Sequence, residues 1–320
     1  MSDFNKNNSL INIEVKKYLE SIINSKLFAN GYIFYGAEGI GKKNTAIEFI
    51  KGIFKQYSSN RNIEEKITNN NHPDFLVVEP TALLKSKTTK YSDSDMPRNN
   101  NSGIIKIEQI RNVRTFISQK SIESQKKIVL IIDAHLLNEA ASNCLLKTLE
   151  EPSNGIFILL TSQLNLILDT ITSRCQIVRF RSFSRKQIEL FLKKNLDPSK
   201  FEINKELSLQ DIVNSGNGSP KQILNNIQIW NELSDEIISK LESPIKDTLE
   251  ILKVSKLISS ELEIYQQIHL VNLIQQIWWG KTKNPNIIKK LESLKLHIKN
   301  FIQPRLAWEV TLLKIYMEDL

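Results

Sequence analysis

Residues 31–43 read GYIFYGAEGIGKK, a short apolar run followed directly by a glycine-rich turn. A strand, such a turn and a helix are the setting of the phosphate-binding loop G-x-x-x-x-G-K-[ST], and Gly36, Gly41 and Lys42 stand in its fixed positions. The next residue of that loop is Ser or Thr, whose hydroxyl holds the magnesium ion of a bound nucleotide, but here it is Lys43. Either the loop binds nucleotide in a damaged way, or the chain keeps this shape for another purpose.

Apolar runs and helical periodicity extend the pattern on both sides of the loop. The predicted strands are 32–35, 75–78, 126–133, 155–162 and 176–180, and the predicted helices are 10–27, 42–56, 105–120 and 138–152. Short apolar strands that alternate with helices are typical of a parallel sheet covered on both faces. We therefore predict an α/β domain over residues 1–182, of the P-loop nucleotide-binding kind, with an irregular excursion at 57–71 and a surface loop at 80–103.

The rest of the chain predicts helices only. Residues 183–238 give short helical segments interrupted by NSGNGSP, which predicts a small helical domain. Residues 239–320 give longer helices and predict an all-α C-terminal domain.

Composition restricts the setting of the protein more than its function. The 320 residues carry a net charge of +8, which permits contact with nucleic acid, although many lysines lie in helical stretches that predict a solvated face. No apolar run approaches the roughly 18–20 residues of a membrane span, and the polar start lacks a signal region. The two cysteines, Cys144 and Cys175, suit a reducing compartment. We expect a cytoplasmic protein.

A second motif lies at the end of the run IVLIIDAHLLN. Asp133 has the position of the Walker B acid that supports magnesium, but the residue after it is Ala134, where a water-activating Glu is common. His135 could replace that base, although a single His in this position is more often structural. Two hydrolytic groups are missing together, so the sequence predicts that this chain does not hydrolyse ATP and leaves nucleotide binding open.

The motif Ser173-Arg174-Cys175 follows a helical stretch, where Arg174 could simply cap the helix or pair at the surface. The ordered set GYIFYGAEGIGKK, HPD, IKIEQIRNV, KKIVLIIDAHLLNEAASNCLLKTLEEPSNGIFILLTS and TSRCQ resembles the bacterial DNA polymerase III clamp-loader subunits, and among them the delta-prime subunits. The resemblance covers roughly residues 10–225, and NCLLKTLEEP and SRC are its most specific parts.

The resemblance implies an AAA+ core, a helical lid and a collar domain that joins a hetero-pentameric ring. The implied partners are the ATPase subunits, the delta (wrench) subunit and, through the complex, the sliding clamp and primer–template DNA, with no membrane. The chain would be non-catalytic by itself. It would belong to the clamp-loader ATPase and to a polymerase holoenzyme with nucleotidyltransferase activity.

The resemblance also assigns residues. Arg174 would be an arginine finger that acts in trans on a neighbour's ATP, while Gly36, Gly39 and Gly41 would hold the turn of a degenerate nucleotide site. Thr161 stands at the position of the sensor 1 residue. The degenerate nucleotide-binding set is Gly36, Gly39, Gly41, Lys42, Lys43, Asp133, Thr161 and Lys221, the last in a sensor 2 position where Arg is usual.

No cofactor is implied as required, and weak ATP or ADP binding stays open. The zinc-binding cysteine cluster of related subunits is not expected here, because residues 51–71 contain no cysteine. The alternative function is an ATP-hydrolysing AAA+ motor subunit, but Lys43 and Ala134 argue against it. A third possibility is a plain DNA-binding protein. Glu150 with Glu151, and Trp278 with Trp279, are interpreted as structural or interface pairs in preference to catalytic acids and base-stacking aromatics.

Overall fold

The computed structural model describes residues 12–57, 62–81, 103–151, 155–195, 209–300 and 303–318. The chain divides into two compact units, Met1–Ser182 and Phe183–Leu320. The predicted further division of the second unit at residue 238 stays a prediction.

The first unit is built on a sheet of parallel strands in the order β2-β3-β4-β1-β5. The strands are β1 (Gly31–Tyr35), β2 (Phe75–Val78), β3 (Lys127–Ile131), β4 (Gly155–Thr161) and β5 (Gln176–Arg179), and the helices are α1 (Ile13–Ser25), α2 (Lys42–Tyr57), α3 (Ile63–Thr68), α4 (Ile107–Ser118), α5 (Glu139–Glu150) and α6 (Asp169–Thr172). The predicted parallel α/β fold is confirmed.

Helices cover both faces of this sheet because successive strand side chains point to opposite sides. On one face, Ile33, Val129 and Phe157 join a buried cluster with side chains of α4 and α5. On the other, the rings of Tyr32 and Phe34 lie 5.3 and 6.3 Å from the ring of Phe49 in α2. Burial of each such side chain contributes about 1.5–3 kcal/mol.

The prediction of an irregular excursion at 57–71 is wrong for α3. Ile63 and Ile67 stand four residues apart, so a helix places them on one face, and both are buried where α3 packs on α2. Residues 58–61 lie outside the described part of the chain. Residues 82–102 of the predicted loop 80–103 also lie outside the described part of the chain. Thr81 and Ile104, on either side of them, form an antiparallel bridge.

The His72-Pro73-Asp74 motif fixes the segment that enters β3. The buried carboxylate of Asp74 accepts the backbone N–H groups of Ile122, Glu123 and Ser124 at 2.8–2.9 Å. Burial alone would raise the pKa of Asp74, but these three donors hold it below its usual value. The motif is therefore a structural clamp in this chain.

The second unit is helical in every described element. Its helices are α7 (Arg185–Asn195), α8 (Leu209–Ser215), α9 (Pro220–Glu232), α10 (Asp235–Leu241), α11 (Thr248–Glu261), α12 (Ile264–Thr282), α13 (Pro285–Lys299) and α14 (Pro304–Glu318). The long helix α12 packs against α8, α9 and α13. Trp278 is fully buried and its Nε1–H donates to the Leu241 carbonyl at 2.7 Å, whereas the next residue, Trp279, is 40% exposed. Within the described residues, no helix is long and apolar enough to cross a membrane.

Candidate functional site

The glycine-rich turn between β1 and α2 needs its glycines for two physical reasons. Gly39 and Gly41 have φ values of +73° and +92°, a conformation that side chains with a Cβ rarely adopt. At Gly36 the reason is space, since an added Cβ would lie 2.5 Å from the carbonyl oxygen of Phe180. The Gly36 N–H donates to the Thr161 carbonyl at 3.3 Å, which ties the turn to the end of β4.

Lys42 does not extend into an open phosphate cradle. Its Nζ donates to the carbonyl oxygens of Gly36 and Ala37 at 2.5 and 2.6 Å. Burial lowers the pKa of the Lys42 ammonium, while the negative charges of Glu38 and Asp133 oppose that shift. A phosphate would therefore have to replace two hydrogen bonds that the loop already supplies.

Lys43 occupies the position of the magnesium-binding hydroxyl and forms an ion pair. Its Nζ lies 3.2 Å from Oε1 of Glu79, the residue that follows β2. Sequence reasoning did not select Glu79, although its place after an apolar strand indicated the same sheet edge as the loop. The pair places an ammonium and a carboxylate where a nucleotide site needs a metal ligand.

Asp133 lies two residues beyond β3, in a left-handed conformation with φ of +52°. Burial raises its pKa above the usual value, with Glu38 and Glu79 adding to the shift and His135 and Lys42 opposing it. The structure therefore brings Asp133 and Lys42 into one cluster at the carboxyl end of the sheet.

Thr161 is the last residue of β4 and is completely buried. Its Oγ1 lies 3.3 Å from Nδ1 of His135 and accepts the Gln163 N–H at 3.0 Å. These contacts give His135 a structural partner. They place the predicted sensor 1 residue in the same edge of the sheet as the loop.

Ala134 decides whether this cluster fits a hydrolytic site. Its side chain is 1% exposed and belongs to the hydrophobic cluster between the sheet, α4 and α5, so the position of the usual catalytic Glu faces the core. In the described part of the chain, no group of three or more His, Cys, Asp or Glu side chains could hold a metal ion. Lys43, paired with Glu79, and the buried Ala134 therefore do not supply the hydroxyl and the carboxylate that a hydrolytic magnesium–nucleotide site needs.

Arg174 lies in the turn between α6 and β5, and its side chain is 40% exposed. One guanidinium nitrogen, Nη2, lies 2.7 Å from Oε1 of Glu150, the last residue of α5. The other, Nη1, donates to the Thr170 carbonyl at 2.9 Å and to Ser173 Oγ at 3.4 Å. Sequence reasoning had treated Glu150 only as half of an acidic pair.

The two acidic residues at the end of α5 separate in the structure. While Glu150 contacts Arg174, Glu151 lies 2.7 Å from Nη2 of Arg114 in α4. They form two similar exposed ion pairs with different arginines, and are not a pair of catalytic acids.

Arg174 lies at the amino end of the parallel strands, whereas the glycine-rich loop lies at their carboxyl end. Gly36 stands beside Phe180 after β5, whereas Gly31, at the start of β1, stands beside Cys175. The five residues of β1 separate these two levels, a rise on the order of 17 Å. This is further than one side chain reaches, so the structure does not bring Arg174 to the loop of its own chain. Burial raises the pKa of the adjacent Cys175 thiol to about 12, which makes it unreactive.

Lys221 lies in the second unit, as an exposed residue in the first turn of α9. Pro220 begins this helix, and Ser219 caps it by accepting the Gln222 N–H at 3.3 Å. The GSPKQ motif thus forms the beginning of helix α9.

Two family models match consecutive parts of the chain. The model described as DNA polymerase III, delta subunit matches residues 11–184, and the model described as cyanobacterial DNA polymerase III delta prime, C-terminal domain, matches residues 190–315.

Curated relatives carry similar names. The chain is 32% identical over 182 residues to the DNA polymerase III subunit delta' of Bacillus subtilis, covering 55% of this chain and 49% of the relative. It is 30% identical over 154 residues to the subunit delta' of Pseudomonas aeruginosa, covering 46% and 42%. The matches therefore span about half or less of these relatives. A crystal structure of a DNA polymerase III gamma subunit-related protein from Thermotoga maritima shares the fold, with a TM-score of 0.54, 15% identity and coverage of 95% of this chain and 99% of that chain.

Proposed function

The chain belongs to the DNA polymerase III, delta subunit family, and on that premise we propose that it acts as the delta-prime subunit of a clamp loader. In this role it is an AAA+ ring member that does not hydrolyse ATP itself. It supports the ATP-driven loading of a sliding clamp on primed DNA and offers Arg174 to the ATP site of a neighbouring subunit. Its partners are the ATPase subunits and the delta subunit of a hetero-pentameric ring.

The observation that carries this proposal is the separation of Arg174 from its own loop. An exposed guanidinium at the amino edge of the sheet is out of reach of Lys42 and Asp133 at the carboxyl edge. A guanidinium is always charged and matches phosphate oxygens with two parallel donors. Placed on a neighbour's ATP, such a residue is worth about 10³- to 10⁵-fold in rate.

The loop of the chain itself acts as a scaffold in this proposal. Lys42 donates to the carbonyls of Gly36 and Ala37, and Lys43 forms an ion pair with Glu79. Ala134 is buried in the hydrophobic core. No cofactor, zinc included, is needed for that role, and any ATP or ADP binding is weak and independent of magnesium. Titration of the isolated chain with ATP and ADP, with and without magnesium, tests this, and tight magnesium-dependent binding would contradict it.

The decisive experiment replaces Arg174 in the complete reconstituted loader. Arg174→Ala is expected to reduce hydrolysis at the served site by about 10³-fold or more, so that clamp- and DNA-stimulated turnover falls to what the other sites supply. Arg114→Ala is the matched control, because Arg114 is also exposed and also pairs with a glutamate at the end of α5 at 2.7 Å. It should leave turnover within about twofold of the unchanged loader, as expected for a surface ion pair.

Unchanged turnover in an intact loader that carries Arg174→Ala would refute the finger. The isolated chain tests the alternative of a motor subunit. Magnesium-dependent hydrolysis near 1 per second, on the order of ordinary phosphoryl-transfer enzymes, would make the chain itself an ATPase.

A further inference from the structure

The ion pair between Arg174 and Glu150 bears on how the proposed finger is controlled. We propose that Glu150 is a positioning residue that holds the Arg174 guanidinium against its own chain until a neighbour's ATP competes for it. The inference rests on the proposed function, because it needs Arg174 to act on another subunit's nucleotide. It adds a second residue, on a different helix, to the control of that site.

The geometry supports a held arginine. Nη2 of Arg174 lies 2.7 Å from Oε1 of Glu150, and Nη1 donates to the Thr170 carbonyl oxygen at 2.9 Å. Both terminal nitrogens of the guanidinium are thus engaged by atoms of the chain itself. These contacts come from the end of α5 and from α6, two helices that pack against each other, so the held position is set by the fold.

The same geometry makes the hold reversible. The two side chains are 40% and 45% exposed, and an exposed ion pair between such groups is weak. Carboxylate and phosphate oxygens accept from a guanidinium in the same forked arrangement. A triphosphate with its higher negative charge can therefore replace Glu150 without any rebuilding of the Arg174 site.

Removal of the Glu150 charge should release the arginine early. Glu150→Gln keeps the size of the side chain, and we expect it to raise loader ATPase measured without clamp and DNA by about two- to fivefold, the range an exposed ion pair can supply. The stimulated rate should stay within about twofold, because the nucleotide already holds Arg174 there. The ratio of stimulated to unstimulated turnover therefore falls.

The adjacent residue provides the control. Glu151→Gln removes the same charge from the same helix end, but from the ion pair with Arg114. It should leave the unstimulated rate unchanged. Added salt should raise the unstimulated rate of the unchanged loader toward that of Glu150→Gln, and should affect the variant less, because salt screens the intact pair.

A double-mutant cycle separates a positioning role from a merely structural one. In a loader that carries Arg174→Ala, Glu150→Gln should have no effect on either rate, because Glu150 acts only through Arg174. An equal effect of Glu150→Gln with and without Arg174, or an equal effect of Glu151→Gln, would overturn the inference.

The experiment also distinguishes the two proposals. If Arg174→Ala alone leaves stimulated turnover unchanged, the arginine finger is refuted. If Arg174→Ala lowers stimulated turnover while Glu150→Gln leaves the unstimulated rate unchanged, the finger stands and only the role of Glu150 fails.

Discussion

The glycine-rich loop and the turn that carries Arg174 lie at the carboxyl and the amino ends of the same parallel strands. Each contains a cationic side chain, but the contacts of the two cations differ. In the loop, Lys42 is half-buried and donates to two carbonyls of its own turn. In the turn, Arg174 is exposed, and its two terminal nitrogens contact the Glu150 carboxylate and the Thr170 carbonyl. The first cation is part of the local fold, whereas the second can exchange its partner.

In the proposed role, in which the chain does not hydrolyse ATP, this difference accounts for the persistence of the nucleotide-binding fold. A buried polar group must be satisfied, so the loop keeps its shape through internal hydrogen bonds once no nucleotide supplies them. An exposed ion pair contributes little to stability and can change without unfolding the protein. We therefore expect changes in the loop to affect stability, and changes in the turn to affect activity.

The largest expected effect is on the stability of the α/β unit. Gly36→Ala should lower its free energy of unfolding by about 3 kcal/mol, because the new Cβ meets the Phe180 carbonyl and the backbone cannot give way cheaply. Urea denaturation measures this. Gly280→Ala is the control, since an added Cβ there has no heavy atom within 4 Å, and a helical Ala should stabilise by about 0.5–1 kcal/mol. A neutral Gly36→Ala would remove the structural account of the loop.

The next effect tests whether the missing acid can simply be restored. Ala134→Glu would place a carboxyl group in the hydrophobic cluster and should cost about 2–3 kcal/mol. Combined with Lys43→Thr it should still give no magnesium-dependent hydrolysis in the isolated chain. Lys43→Thr alone removes only an exposed ion pair and should cost less than about 1 kcal/mol. Turnover in the double variant would show that the loop is poised for catalysis after all.

Like Lys42, Asp74 has its hydrogen bonds supplied by backbone groups of its own chain. Asp74→Asn should cost about 1.5–3 kcal/mol near pH 7, because the charged acceptor of three backbone N–H groups is lost. The pKa of Asp74 is lower folded than unfolded, so its contribution is present above the unfolded value near about 3.9 and is lost as pH falls through the folded value. Urea midpoints of the two proteins should therefore converge in acid, and a constant difference would contradict this cause.

The smallest expected effect is on loader activity. Lys42→Ala should leave the ATPase of the complete loader within about twofold, although it removes two hydrogen bonds and costs about 1–3 kcal/mol of stability. Thermal melting of the isolated chain and turnover of the loader measure the two effects. A loss of turnover as large as that expected for Arg174→Ala would make the loop a working site, and the contrast between the two regions would fail.

Much of the first unit was predictable because its signals are local. Apolar strands, glycine positions and helical periodicity depend on neighbours in the chain, and the predicted strands and the parallel sheet are confirmed. The short helix α3 was missed because only Ile63 and Ile67 mark it in a polar stretch. Glu79 was missed because its place after a strand indicates the end of the sheet at which it lies but not the side chain with which it pairs, which is Lys43 in the folded chain.

By itself, the sequence determined the α/β fold, the family resemblance and the two departures at Lys43 and Ala134. These follow from residue type and spacing along the chain. Only the tertiary structure decided that Lys42 binds its own loop, that Ala134 faces the core, and that Glu150 holds Arg174 at the far edge of the sheet. Such contacts join residues far apart in sequence, or depend on rotamers and burial, and only packing of the complete sheet and its helices selects them.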